Sequence, residues 1–299
     1  MGAGVIIGSN VFNLAALLGL AAVVAGGIAF HRRVVLLSGV PAVWVAAATL
    51  LTVTVLTPAA GLALTAAVLG PYVAVLGMRR ERVESLPLPA RWTRWLVAAI
   101  HEEEDELIEA VRPRRGTWRD AVAAAAALVA VVGASTVMEV AATTAGHRYG
   151  VADIVTGGLV LAVVTSLPNA VAAVYLARRG RGAAVLSIAL NSNAINVMAG
   201  LLIPASLAGL GPYSGPGTLV AAWYAGLTVL ALALAYRGRG LDRPAGAAIN
   251  AGYLAFVIAL AVSVAQGGVR PATAVLPAVL IAAAGVPLLA RPGRCQQAR

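Results

Sequence analysis

The sequence predicts an all-α polytopic membrane protein with about nine membrane-spanning helices, and three observations predict it. Of its 299 residues 60% are hydrophobic and 11% charged, too few polar side chains to cover a water-soluble domain. The apolar residues fall in runs of about 20, the length that crosses a bilayer. The arginines gather in every second connection between those runs, as they do when a polytopic chain keeps its positive loops on the cytoplasmic side.

The runs lie near residues 4–29, 34–56, 61–77, 120–145, 151–177, 183–207, 217–236, 247–265 and 271–290. Between them come "HRR" at 31, the neutral "TPAAG" at 57, the Arg-rich segment 78–119, the near-neutral "HRYGVAD" at 147 and "RRGR" at 178. The uncharged "GLGPYSGPG" at 209, "RGRGLDR" at 237, the lone Arg270 and a basic tail complete the series. One missed or invented span would put the later Arg clusters on the wrong side, so the alternation supports the count; the expected location is the plasma membrane, a bacterial inner membrane. Four regions follow: a first membrane half (1–77), a cytoplasmic loop (78–119), a second membrane half (120–290) with a repeat at 151–207, and a cytoplasmic tail (291–299).

Several function classes drop out. The net charge of +10 comes from arginines in short clusters between apolar runs, which membrane orientation explains without nucleic acid. The single Cys295, in the tail "RPGRCQQAR", allows neither an intrachain disulfide nor a cysteine metal centre. No nucleophile and base pair, phosphate loop or dinucleotide fingerprint is present, so an enzyme is not expected, nor a resident cofactor. The expected partners are membrane lipids and inorganic cations.

Two polar words stand inside apolar runs: "GSNVFN" at 8–13 and "NSNAIN" at 191–196. The predicted topology runs their helices in opposite directions, the mark of an inverted-topology repeat, which holds its cargo between the copies at the midplane. Ser9 with Asn13, and Ser192 with Asn196, are four residues apart and share a helix face, offering a hydroxyl and an amide oxygen. Asn10 and Asn193 point elsewhere and are expected to bond a neighbouring helix. Before the second word comes "VVTSLPNAV" (163–171), where Pro168 lacks an N–H and leaves the Val164 carbonyl without its helical partner. A broken helix there would gather that carbonyl with Thr165 and Asn169 beside Ser192 and Asn196, all hard oxygen donors suited to Na+ or Ca2+. One such motif alone reads as helix packing; two inverted copies, one beside a proline, favour a cation site.

At these residues the sequence resembles the calcium/cation antiporter superfamily, the sodium/calcium exchangers, whose two alpha repeats each pair a "GTSLPE" helix with a "GNxxGSNxxN/D" helix. "VVTSLPNAVAAVYLARRGRGAAVLSIALNSNAINVMAGLLIP" follows the second repeat, and "GAGVIIGSNVFNLAALLGL" the later half of the first. The resemblance implies an antiporter exchanging Na+ or H+ against Ca2+ or another cation by alternating access. It sets Thr165, Ser166, Asn169, Ser192 and Asn196 on cation-site positions of the second repeat, and Ser9 and Asn13 on those of the first. The chain departs from the pattern in four ways. Asn169 replaces the repeat carboxylate, Asn191 replaces a glycine, and Val5 and Ile188 replace the asparagine of "GNxxG". The chain also enters the pattern at the family's third helix, without the first helices of the first repeat. Those departures keep a second reading open, a non-transporting or truncated exchanger-like protein with a structural or regulatory role; a second copy in a homo-oligomer is one way to supply a missing helix.

A carboxylate 4 Å from a monovalent ion contributes about 4 kcal/mol at an effective dielectric near 20, and roughly twice that for a divalent ion. Its replacement by Asn169 argues against calcium selectivity. Glu139, in "ASTVMEVAATTAG", is the acidic residue that falls well inside a predicted span and is a candidate for proton coupling; the alternative is a water-facing carboxylate or one paired with Arg148. In the loop, "RWTRWLVAAIHEEEDELIEAV" has apolar residues at helical spacing and reads as an interfacial amphipathic helix, its Glu102–Glu106 end a solvated charged face.

Overall fold

A computed structural model of the chain describes residues 2–111, 117–151, 155–210 and 215–267. Among them seven helices are long and apolar enough to cross a membrane: α1 (Ala3–Ala25), α2 (Arg32–Thr52), α3 (Pro58–Leu76), α7 (Thr156–Arg178), α8 (Gly182–Ala208), α9 (Gly215–Gly238) and α10 (Arg243–Ala265). Between α3 and α7 come the short α4 (Arg80–Glu84), α5 (Ala90–Val111) and the 31-residue α6 (Trp118–Arg148). The fold is all-α, with seven candidate spans among the described residues where the sequence suggested about nine. Of the two others, 120–145 falls within α6, and 271–290 lies outside the described residues.

Local chemistry sets the helix ends. The run expected to reach residue 29 stops at Ala25, because Gly26 takes φ 88°, a left-handed conformation that favours glycine. Thr57 caps α3, its hydroxyl accepting from the Ala60 amide ahead of Pro58. Asp242 caps α10 in the same manner through the Ala245 amide at 2.8 Å. Thr117 and Asp120 form a reciprocal capping box at the start of α6.

The connections after α1 and α9 pair as a two-stranded antiparallel sheet, β1 (Gly27–Ala29) against β2 (Gly240–Asp242), with Ile28 opposite Leu241. Two Arg-bearing connections that charge assigns to one side are thus joined at one end of the bundle. α1 is the central helix, packed by α7, α8, α9 and α10. Apolar burial gives little association energy inside a lipid phase, so close backbone approach and interhelical hydrogen bonds matter more. A Cβ on Gly8 would overlap the Gly158 carbonyl, so α1 crosses α7 there in backbone contact. A Cβ on Gly19 would lie 3.1 Å from the Gly246 carbonyl, marking a second close crossing, of α1 with α10.

Candidate cation site

Both polar words end at the same structural feature. The α-helical part of α1 runs to Asn13 and passes into a π-helical stretch, Leu14–Leu20; that of α8 runs to Ile195 and passes into another, Asn196–Leu202. A π turn takes one extra residue and leaves ladder groups in search of partners, which is why such turns gather at functional positions. In α1, Asn250 of α10 supplies them: with its amide oriented to satisfy both contacts, Nδ2 donates to the Ala15 carbonyl at 2.8 Å and Oδ1 accepts from the Leu20 amide at 3.3 Å.

The asparagines lock the two helices together reciprocally. Asn10 Nδ2 donates to the Asn193 carbonyl at 3.1 Å, and Asn193 Nδ2 donates to the Asn10 carbonyl at 3.1 Å. Asn13 Nδ2 donates to Asn193 Oδ1 at 2.8 Å, and Asn196 Nδ2 donates to Asn10 Oδ1 at 3.0 Å. Asn196 Nδ2 also lies 3.5 Å from the Ser9 hydroxyl, which itself donates to the Ile6 carbonyl at 2.8 Å. The fully buried Tyr224 of α9 hydrogen-bonds the Asn10 side chain. Asn10, Asn13 and Asn193 are 0–1% exposed. Within this sealed centre the Asn13 side-chain oxygen receives no hydrogen bond.

The α7 residues join on one flank. Asn169 Nδ2 reaches the Ser192 hydroxyl at 3.5 Å, and Ser166 is buried at 3% exposure. Thr165 does not turn toward Ser192: its hydroxyl donates back to the Leu161 carbonyl at 2.8 Å, and the residue is exposed. The expected break at Pro168 is also corrected. Proline sits inside a continuous α-helical segment, Ala162–Arg178, and the irregular backbone lies before it, in the π stretch Thr156–Leu161. Proline still withholds an N–H from Val164, yet its fixed φ is helical, so the helix need not open.

Glu139 lies on α6, with its side chain outside the described residues. Of the acidic end of α5, expected to be a solvated face, Glu102 and Glu103 lie against the bundle, and the side chains from residue 104 onward lie outside the described residues. Glu102 pairs with Arg33 of α2 at 2.9 Å, and Glu103 is 3% exposed, because α5 lies against α2 and α8. Near it the Tyr72 hydroxyl lies 3.4 Å from Asn191 Oδ1 and 3.5 Å from Ser38, while Asn191 Nδ2 donates to Ser187 at 2.9 Å. Sequence reasoning missed this polar layer, although Asn191, an amide where the pattern has glycine, was its visible signal. The expectation that Asn10 and Asn193 bond a neighbouring helix is met, each donating to the other's backbone carbonyl; their further bonds to Asn196 and Asn13 were not foreseen. Among the described residues no group of three or more His, Cys, Asp or Glu side chains could hold a metal ion; the oxygens gathered here are amide and hydroxyl.

Residues 121–262 match the family model described as sodium/calcium exchanger protein, a stretch that includes α7 and α8 but not α1. The fold is similar to that of the crystal structure of the H+/Ca2+ exchanger CAX, with a TM-score of 0.58 and 13% sequence identity over 96% of this chain and 72% of that one. No curated protein sequence gives a significant match. Through residues 121–262, just under half of its length, the chain is similar to the sodium/calcium exchanger family, and its apolar helices make it an integral membrane protein.

Proposed function

We propose that the protein is a secondary active antiporter that exchanges cations across the plasma membrane by alternating access, built from two inverted repeats. α1 belongs to the first repeat, and α7 and α8 form the second, with α6 as a further span. The single observation that carries this reading is the Asn13 side-chain oxygen, fully buried and without a donor between the two polar words. A buried acceptor left unmatched costs about 1–3 kcal/mol, a cost that a cation at that oxygen would remove. The reciprocal bonds of Asn10 and Asn193 support a two-fold relation between α1 and α8. A π stretch following each word supports it too.

Ser9, Asn13, Ser166, Asn169, Ser192 and Asn196 supply neutral oxygens, and Thr165 would join them once its hydroxyl leaves the Leu161 carbonyl. Such a set suits Na+ better than Ca2+, because carbonyl and hydroxyl dipoles can replace the water of a monovalent ion without a counter-charge. Glu139 is the candidate for proton coupling. The test is counterflow of Na+, H+ and Ca2+ in proteoliposomes. Parent protein should drive uptake against an imposed cation gradient, and Ser192→Ala with Asn196→Ala should abolish it while leaving the purified protein monodisperse. Unchanged flux in that variant would overturn the site assignment.

One observation favours the second reading. The Asn10, Asn13, Asn193 and Asn196 amides largely satisfy one another, as they would in a membrane protein whose repeats pack without carrying ions. No gradient-driven flux in the parent, for any of the three cations, would select it.

A further inference from the structure

The first turns of α2, the last turns of α3 and the opening turns of α5 enclose a cleft of about 820 Å3. Leu36, Val40 and Val75 of the two spans and Trp92 and Trp95 of α5 form its walls, and Arg91 stands among them as the one charged lining residue. The slot is open: Val40 is 62% and Trp92 51% exposed. The Arg91 guanidinium lies 5.9 Å from the centre of the Trp92 ring, close enough for a cation–π contact at the edge of the apolar surface. A second cleft along α5, of about 650 Å3, brings together Arg79, Arg80, Arg94 and His101. Residues 79–94 hold five arginines against Glu81 and Glu84, and Glu84 is engaged by Arg80 at 2.8 Å.

A soluble anion has no use for an apolar slot this large, and a bare hydrocarbon none for the arginines. An amphiphile with a negative head and a long apolar tail matches both. Two tryptophans at the boundary fit the same depth, where indole rings settle between headgroups and acyl chains. We propose that the cleft among α2, α3 and α5 binds an anionic glycerophospholipid, its acyl chain between the spans and its phosphate at Arg91. The neighbouring arginines of the second cleft strengthen the local field. Tyr72 also lines the acyl slot, and its hydroxyl reaches Asn191, so the bound lipid buttresses the helix that carries Ser192.

Tryptophan quenching by lipids brominated on their acyl chains tests this without any transport assay. Trp44 and Trp118, exposed at 40% and 73%, are replaced by Phe, leaving Trp92 and Trp95 to report over the buried Trp223. In mixed vesicles the brominated anionic lipid should reach half-maximal quenching at a roughly five-fold lower mole fraction than a brominated zwitterionic lipid, the effect of about one basic side chain at a lipid surface. Arg91→Gln should bring the two curves together while the protein stays monodisperse. Equal curves in the parent would overturn the proposal, as would a preference that survives Arg91→Gln. Loss of the preference on adding excess inorganic phosphate at constant ionic strength would also overturn it, since the cleft would then be a soluble-phosphate site.

Discussion

Asn193→Ala is the substitution that most directly tests the centre of the molecule. The side chain makes two interhelical bonds, donating to the Asn10 carbonyl at 3.1 Å and accepting from Asn13 at 2.8 Å. Interhelical hydrogen bonds in membranes average about 0.6 kcal/mol and reach about 1–2 kcal/mol. The larger cost falls on Asn13, which is 0% exposed and whose oxygen already lacks a donor; losing the acceptor for Nδ2 strands its whole amide, at about 1–3 kcal/mol. The expected loss is therefore roughly 2–4 kcal/mol, read as destabilisation in reversible unfolding in mixed detergent micelles. Reciprocity sharpens the test. Asn10→Ala removes the mirror-image bonds, to the Asn193 carbonyl at 3.1 Å and from Asn196 at 3.0 Å, and should cost a similar amount. Asn193→Ala within about 0.5 kcal/mol of the parent, the range of an ordinary surface substitution, would refute the reasoning.

Gly8→Val should abolish recovery of monodisperse protein, since any Cβ there overlaps the Gly158 carbonyl; Gly133→Ala, whose added Cβ would meet nothing within 4 Å, should leave yield unchanged and gain up to about 1 kcal/mol of helix propensity. Asn169→Asp, which sets a carboxylate beside the Ser192 hydroxyl, now 3.5 Å from the Asn169 amide, should lower the Ca2+ concentration needed for thermal stabilisation at least about ten-fold; no change would remove Asn169 from the site. Glu102→Gln breaks the 2.9 Å pair with Arg33, whose side chains are 24% and 49% exposed, and should cost less than about 1 kcal/mol, falling toward zero in high salt.

Hydropathy carried most of the architecture, because a span must be about 20 apolar residues long whatever it packs against. Seven expected runs reappear as candidate spans with ends moved by a few residues, and the largest errors have local causes. α1 ends early at left-handed Gly26, and β1 takes three residues that hydropathy had counted as membrane. The polar words were legible as residue types at a spacing, so Ser9, Asn13, Ser192 and Asn196 could be named as candidates. Their partners were not legible, because a period of 3.6 fails where the backbone turns to π geometry. That is where Asn13 and Asn196 stand, and why Asn10 and Asn193 proved to be the hub. Tyr72 and Glu103 were hidden for another reason. The burial of Glu103 depends on α5 folding back against α2 and α8, and the Tyr72 contacts on α3 meeting Ser38 and Asn191, which no local pattern encodes.

The centre joins two helices by amides rather than by carboxylates, and that choice has consequences for valence. Each carboxylate exchanged for an amide removes about 4 kcal/mol of attraction for a monovalent ion and about 8 kcal/mol for a divalent one, at 4 Å and an effective dielectric near 20. The difference, about 4 kcal/mol, is close to three orders of magnitude in relative affinity, before the lower desolvation cost of the monovalent ion is added. Among the described residues the buried carboxylate is Glu103, and it faces Tyr72 rather than the Asn13 oxygen. On the proposed reading, an ion at that oxygen would meet the amides of the asparagine network rather than a charge. Dipoles select by how well they replace water, a contest that Na+ wins over Ca2+ wherever no counter-charge is near. Conducting a divalent ion through the same centre would require a carboxylate to be brought to it, which is the condition that Asn169→Asp recreates.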